Sequence, residues 1–190
     1  VSQFGSVQGA DTEPDVSEDF VVWTRSYPDG LRQPDVMGAR MEFSRIEGHV
    51  QLGHYVADPQ FEPLELHLKD SMPPSREFII PIRPDSSGHF VAVTRLTGLF
   101  VASLKPSHWL RQQPPEQYFL QPGMTTLMSF QLVNGDAVQD NQVNLMDLNE
   151  VLVEFGRPAP NDADLDGSGT VDLADLNIVL VNFGLVGDPW

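Results

Sequence analysis

The segment Asp164-Leu-Asp-Gly-Ser-Gly-Thr-Val-Asp-Leu-Ala-Asp175 sets oxygen-bearing residues at positions 1, 3, 5, 9 and 12 of a twelve-residue loop, with glycine at position 6. A hard cation takes about six to eight oxygen ligands, and a chain that wraps an ion presents them at alternate residues. The spacing therefore reads as a calcium loop of the EF-hand type. Asp164, Asp166 and Ser168 are expected to supply side-chain oxygens, Thr170 its backbone carbonyl, Asp172 a direct or water-mediated contact, and Asp175 the closing carboxylate. Gly169 allows the sharp turn. The alternative use of such a segment is a solvated acidic loop.

The pattern occurs twice. Val143-Asn-Leu-Met-Asp-Leu-Asn-Glu-Val-Leu-Val-Glu-Phe-Gly156 returns as Val171-Asp-Leu-Ala-Asp-Leu-Asn-Ile-Val-Leu-Val-Asn-Phe-Gly184, offset by 28 residues. A repeat of this length marks a duplicated supersecondary unit. After each loop the apolar residues Leu148, Val151, Leu152 and Phe155, and then Leu176, Val179, Leu180 and Phe183, fall at helical spacing. Gly156 and Gly184 follow the last stripe residue, where a left-handed cap closes a helix. Neither short helix hides its stripe alone, so the two are expected to pack on each other with the loops at opposite ends.

Loop-then-helix duplication without a helix entering each loop resembles the dockerin family of bacterial extracellular proteins, over Asn134 to about Val186. The resemblance implies a first calcium site at Asp136, Asp140, Asn144 and Asp147, with a carbonyl from Gln142. Two positions depart from the family pattern: Val138 at position 3 has no side-chain oxygen, and Asn141 replaces the usual glycine at position 6. Asparagine tolerates positive φ, so the turn survives. Two calcium ions are expected, the second held more strongly. In cohesin-binding members, loop positions 10 and 11 contribute to recognition and are often hydroxyl residues; here they are Leu145, Met146, Leu173 and Ala174.

Charge is uneven along the chain. Of the net −16, the residues from Asp136 onward carry eleven acidic side chains against one basic, Arg157. Such a surface argues against nucleic acid and anionic membrane as partners. Bound calcium would neutralise much of it; without an ion the carboxylates repel one another. There is no cysteine, so calcium takes the place a disulfide often holds in secreted domains. No run approaches a transmembrane length, and no initiator Met or apolar signal segment opens the chain, as in a processed or partial protein. An extracellular or cell-surface location is expected, where calcium is abundant.

From about Ile46 to Leu132 the pattern changes to short alternating runs broken by Pro and Gly. Leu64, Leu66 and Leu68 alternate with Glu65 and His67, as in a strand with one buried face. Ile46–Leu52, Glu77–Ile82, His89–Arg95, Leu99–Leu104, Gln117–Leu120 and Thr125–Leu132 complete seven strands. The expected fold class is mainly β: an antiparallel β-sandwich followed by a small C-terminal α-helical calcium-binding module. Ser-Ser-Gly88-His-Phe90 and Leu-Thr-Gly98-Leu-Phe100 resemble the carboxypeptidase-regulatory-like or transthyretin-like sandwiches, which implies a fold without catalytic residues of its own. The expected divisions are 1–45, 46–133 and 134–190. Asn134-Gly135 is a turn leading straight into the first loop, so the helical module should sit against the end of the sandwich. In the first 45 residues, Phe20 to Tyr27 is a strong β segment after a polar opening, to be used as an edge strand of the same domain, as a strand given to a neighbouring molecule, or as the remnant of a preceding domain.

Local catalytic motifs are absent from the sequence; paired carboxylates for glycoside hydrolysis remain open, because they approach only in space, although most of the clustered acids are already assigned to calcium. His49, His54, His67, His89 and His108 show no metal-binding spacing, serines lack a G-x-S-x-G setting, and no glycine loop is suited to phosphate. Trp23, Trp109 and Tyr118 are the candidates for a sugar platform, with core packing as their alternative. Two function classes follow. One is a non-enzymatic extracellular assembly protein that builds a surface structure or filament, or docks a protein partner, by self-association or through a cohesin-like receptor. The other is an accessory carbohydrate-binding module of a secreted glycan-degrading enzyme.

Overall fold

The structure, a computed structural model, describes residues 43–190 together with strands at 10–11, 15–16, 20–26 and 35–40. The chain divides into two units, Val1–Phe43 and Ser44–Trp190. In the first unit, β3 (Phe20–Ser26) pairs antiparallel with β1 (Ala10–Asp11), β2 (Asp15–Val16) and β4 (Asp35–Arg40). The segment read as a β run is thus a strand whose partners, among the described residues, all lie in its own unit. Trp23, offered as part of a sugar platform, has no described side chain.

The second unit contains seven strands: β5 (Ser44–Leu52), β6 (Leu64–Asp70), β7 (Glu77–Ile82), β8 (His89–Thr94), β9 (Gly98–Leu104), β10 (Gln117–Leu120) and β11 (Thr125–Leu132). They form two sheets, one ordered β10-β9-β6-β7 and the other β11-β5-β8. The inward residues expected from period-two alternation close one core: Ile46 and Val50, Leu64, Leu66 and Leu68, Phe90, Phe100, Leu104, Leu120, Phe130 and the wholly buried Trp109. Gly48 sits on this inner face of β5, where a Cβ would lie 2.5 Å from Met128 O and 2.6 Å from the Phe90 ring. Only glycine permits that approach.

The expectation of a wholly antiparallel sandwich is corrected at one pair. β11 runs parallel to β5, from Thr125 opposite Arg45 to Leu132 opposite Leu52. Residues i, i+2 and i+4 face the core whichever way a neighbouring strand runs, so alternation carries no information on direction.

Two helices follow, α1 (Leu145–Glu154) and α2 (Leu173–Val181). Each begins in a capping box. Asn144 accepts from Met146 N while Asp147 accepts from Asn144 N, and Asp172 and Asp175 do the same for α2. A second core joins Val151, Ile178 and Val179 to the loop residues Ala137, Val143, Ala163, Leu165 and Val171 and to Leu110 of the sandwich side. The expected helical stripe is only partly buried. Leu148 and Leu176 pack against this core, but Leu152 and Leu180 are each 54% exposed and Phe155 and Phe183 each 46%. Loop residues fill the seam in their place, and both phenylalanines stand beyond the last helical turn. Gly156 and Gly184 adopt φ of 81° and 87°, the left-handed values expected after the helices.

Candidate metal centre

Each loop brings three carboxylates together. Oxygens of Asp136, Asp140 and Asp147 lie within 4.8 Å of one another, as do those of Asp164, Asp166 and Asp175. These are positions 1, 5 and 12 of the first loop and 1, 3 and 12 of the second. Asp136, Asp147 and Asp175 are wholly buried, and Asp164 and Asp166 nearly so; Asp140 is exposed.

Backbone amides fix each group in place. In the second loop Asp164 accepts from Ser168 N at 3.1 Å and Gly169 N at 2.9 Å. Asp166 accepts from Ser168 N at 2.9 Å, and Asp175 from Leu165 N at 2.7 Å and Asp166 N at 3.1 Å. Gly167 and Gly169 supply φ of 72° and 99° for the turn. In the first loop Asp147 accepts from Val138 N at 3.1 Å, Asp136 from Asn141 N at 3.0 Å, and Asp140 from Gln142 N at 3.0 Å. Asn141 has φ 68°, the strained value that glycine carries in the second loop.

The remaining sequence candidates have other contacts. Asn144 and Asp172 are the N-caps of α1 and α2, their side-chain oxygens accepting from backbone amides, while Asn144 Nδ2 also donates to Asp140 Oδ2 of the first triad at 3.3 Å. Ser168 Oγ donates to Thr170 O at 3.3 Å, so both candidate oxygens of that turn stand together. Gln142 is bridged to Val186.

Electrostatics favour a cation. Burial raises Asp147 above the usual carboxylate range, with the Asp136 and Asp140 charges acting the same way against the amides of Asn144 and Val138. Burial likewise raises Asp164, reinforced by Asp175 and Asp166, and raises Asp175, reinforced by Asp166. In each case burial and neighbouring carboxylates disfavour the ionised form, and among the described residues no ion pair reaches the second triad. In addition, Asp136 Oδ1 is buried with no hydrogen-bond partner. A buried orphan acceptor is costly unless something binds it, and an oxygen-ligated divalent ion fits this donor set.

Sequence reasoning missed the groups that fasten these loops to the sandwich. Asn134, wholly buried, donates from Nδ2 to Leu165 O at 2.6 Å and to Gly53 O at 3.1 Å, while its carbonyl accepts from Asn182 Nδ2 at 2.9 Å. Val56 N donates to Asp166 O at 2.8 Å. The carbonyl of His108 accepts from Gly135 N and Asp136 N. Its ring lies 3.8 Å from that of Trp109, and burial, with the Lys105 charge assisting, lowers its pKa to about 4. The segment from Leu185 to Trp190 then straps the first loop to the sandwich. Val143 N donates to Leu185 O, Asp188 N to Arg111 O, and Trp190 Nε1 to Glu77 Oε1 at 2.7 Å. The Asn134-Gly135 turn was the available signal, but the partners lie on distant segments.

No protein-family model matches the sequence, and no curated protein does. Solved structures that share its fold include two chains of cohesin–X–dockerin complexes. One is a chain of a type II cohesin–X–dockerin complex from Acetivibrio cellulolyticus with a C-terminal interface mutation, at TM-score 0.57 and 18% identity over 76% of this chain and 97% of that one. The other is the same organism's complex with an N-terminal interface mutation, at TM-score 0.53 and 17% identity over the same shares. The shared property is the mainly β fold with two sheets.

Proposed function

We propose that this chain is a non-enzymatic extracellular docking protein, in which a β-sandwich carries a calcium-clamped, dockerin-like helical module that binds another protein. The supporting observation is the pairing of two carboxylate loops with an exposed apolar surface on the helices they introduce. Leu145 and Leu173, one repeat apart, are 69% and 70% exposed; Val153 and Val181 are 58% and 61% exposed. Large apolar side chains left exposed on short helices are the material of an interaction surface. The fold neighbours come from complexes described as cohesin–X–dockerin, which agrees with a protein partner.

Calcium enters through the loops. Asp136, Asp140 and Asp147, and Asp164, Asp166 and Asp175, would hold the two ions, which would offset the repulsion among these carboxylates. The helices they cap would then present their apolar residues in a fixed arrangement. The carbohydrate reading has less support. Trp109 is wholly buried in the sandwich core and Tyr118 packs against it, so neither forms an open sugar platform. Among the described residues no helix is long and apolar enough to cross a membrane.

Binding of the intact chain to purified cohesin and dockerin halves of a type II complex, with calcium and with EGTA, tests the reading, together with sedimentation of the chain alone. Calcium-dependent association with one of these probes, or with itself, supports it. A monomer that binds none of them in calcium, yet binds oligosaccharide, overturns it.

A further inference from the structure

The first loop has a cation of its own. Lys105 directs its ammonium at Asp136 Oδ2 at 2.7 Å, Trp109 O at 3.0 Å and Ser107 O at 3.3 Å, which uses all three donors. Its side chain is 15% exposed and that of Asp136 is fully buried. The second loop differs. Asp164 is held by the amides of Ser168 and Gly169, and among the described residues no ion pair reaches Asp164, Asp166 or Asp175. The loop that lacks a side-chain oxygen at position 3, where Val138 stands, is the one supplied with a lysine.

We propose that Lys105 is the resident counter-cation of the first loop, a positioning residue that keeps this loop folded on the sandwich without metal and lowers its affinity for calcium. The inference rests on the calcium reading above. A buried carboxylate without a positive neighbour is strongly disfavoured, and Lys105 offsets that penalty at Asp136 in the metal-free chain. Once there, its charge opposes a second cation at the same carboxylate. The orphan Asp136 Oδ1 still faces no partner, so calcium binds here more weakly rather than being excluded. Chelation then opens the structure from the second loop and α2, while the first loop stays docked.

Hydrogen exchange on the full chain, in calcium and in EGTA, tests this. In EGTA the amides of Asn141 and Asp136 keep their protection, whereas those of Ser168 and Gly169 exchange at least about tenfold faster. In Lys105→Met the first-loop amides lose protection in EGTA as the second-loop amides do, while calcium affinity at the first loop rises about tenfold. Lys105→Arg retains the wild-type pattern. Where Lys105→Met does not fold without calcium, the wild-type exchange pattern decides. Equal loss of protection in both wild-type loops, or Lys105→Met leaving both loops and both affinities unchanged, overturns the proposal and leaves the calcium reading standing. Absence of calcium uptake by either loop overturns that reading, and the proposal with it.

Discussion

Asn134 Nδ2 donates to the carbonyl of Leu165 at 2.6 Å, across a sequence separation of 31 residues. The same amide group reaches Gly53 O in the sandwich, so one side chain joins the strand layer to the second carboxylate loop. Asn134→Ala leaves the buried Leu165 carbonyl short of a donor, while Gly53 O keeps Trp109 Nε1, and should cost about 1 to 3 kcal/mol. Urea unfolding is expected to show a lower midpoint at unchanged m-value.

The two loops are expected to differ in their response to loss of position 1. Asp164→Ala removes a ligand from the loop with the fuller oxygen set and should cost more calcium affinity than Asp136→Ala. Asp136→Ala instead strands Lys105, a largely buried charge, and should lower stability in EGTA by about 3 kcal/mol. Val138→Asp should tighten the first loop. Titration calorimetry of the three variants decides the order, and weaker binding after Val138→Asp would show that the first loop is in a different register.

Acid acts on the fold in two opposed ways. His108 titrates near 6.5 when unfolded and near 4 when folded, so its contribution is complete above pH 6.5 and is lost as pH falls toward 4, by about 3 kcal/mol. Asp147, Asp164 and Asp175 have raised folded values, so in EGTA their contribution is present below the ordinary carboxylate range and is lost as pH rises through those values. Acidification should therefore destabilise the calcium-loaded chain more than the chelated one, because protonation also removes the ligands. Urea melts at several pH values in calcium and in EGTA measure the difference, and His108→Phe should remove the histidine share.

The helical surface separates docking from folding. Leu145 and Leu173 are exposed in the chain, so Leu145→Lys and Leu173→Lys should change stability by less than about 0.5 kcal/mol. Loss of partner binding at unchanged melting temperature and calcium affinity is the expected result.

Local features were legible in the sequence and long-range ones were not. The 28-residue repeat located both loops and both helices, because ligand spacing and helix period are written within a dozen residues. Alternation located all seven strands of the second unit, since one buried face imposes period two. The parallel pairing of β11 with β5 left no local trace, because either direction satisfies the same pattern. Lys105 could not be assigned to Asp136, 31 residues away, and the exposure of Leu152 and Phe155 depends on loop residues that fill the seam first. Spacing thus identified the carboxylates, while their counter-charge and their anchor are products of the tertiary fold.

Calcium uptake by the intact chain after chelation, followed by titration calorimetry with native mass spectrometry for stoichiometry, bears most directly on the calcium-clamped reading. Two ions per chain are expected, the tighter step disappearing in Asp164→Ala and the weaker persisting. No uptake at millimolar calcium, the upper end of the range for extracellular sites, or binding unchanged in Asp164→Ala, would contradict it.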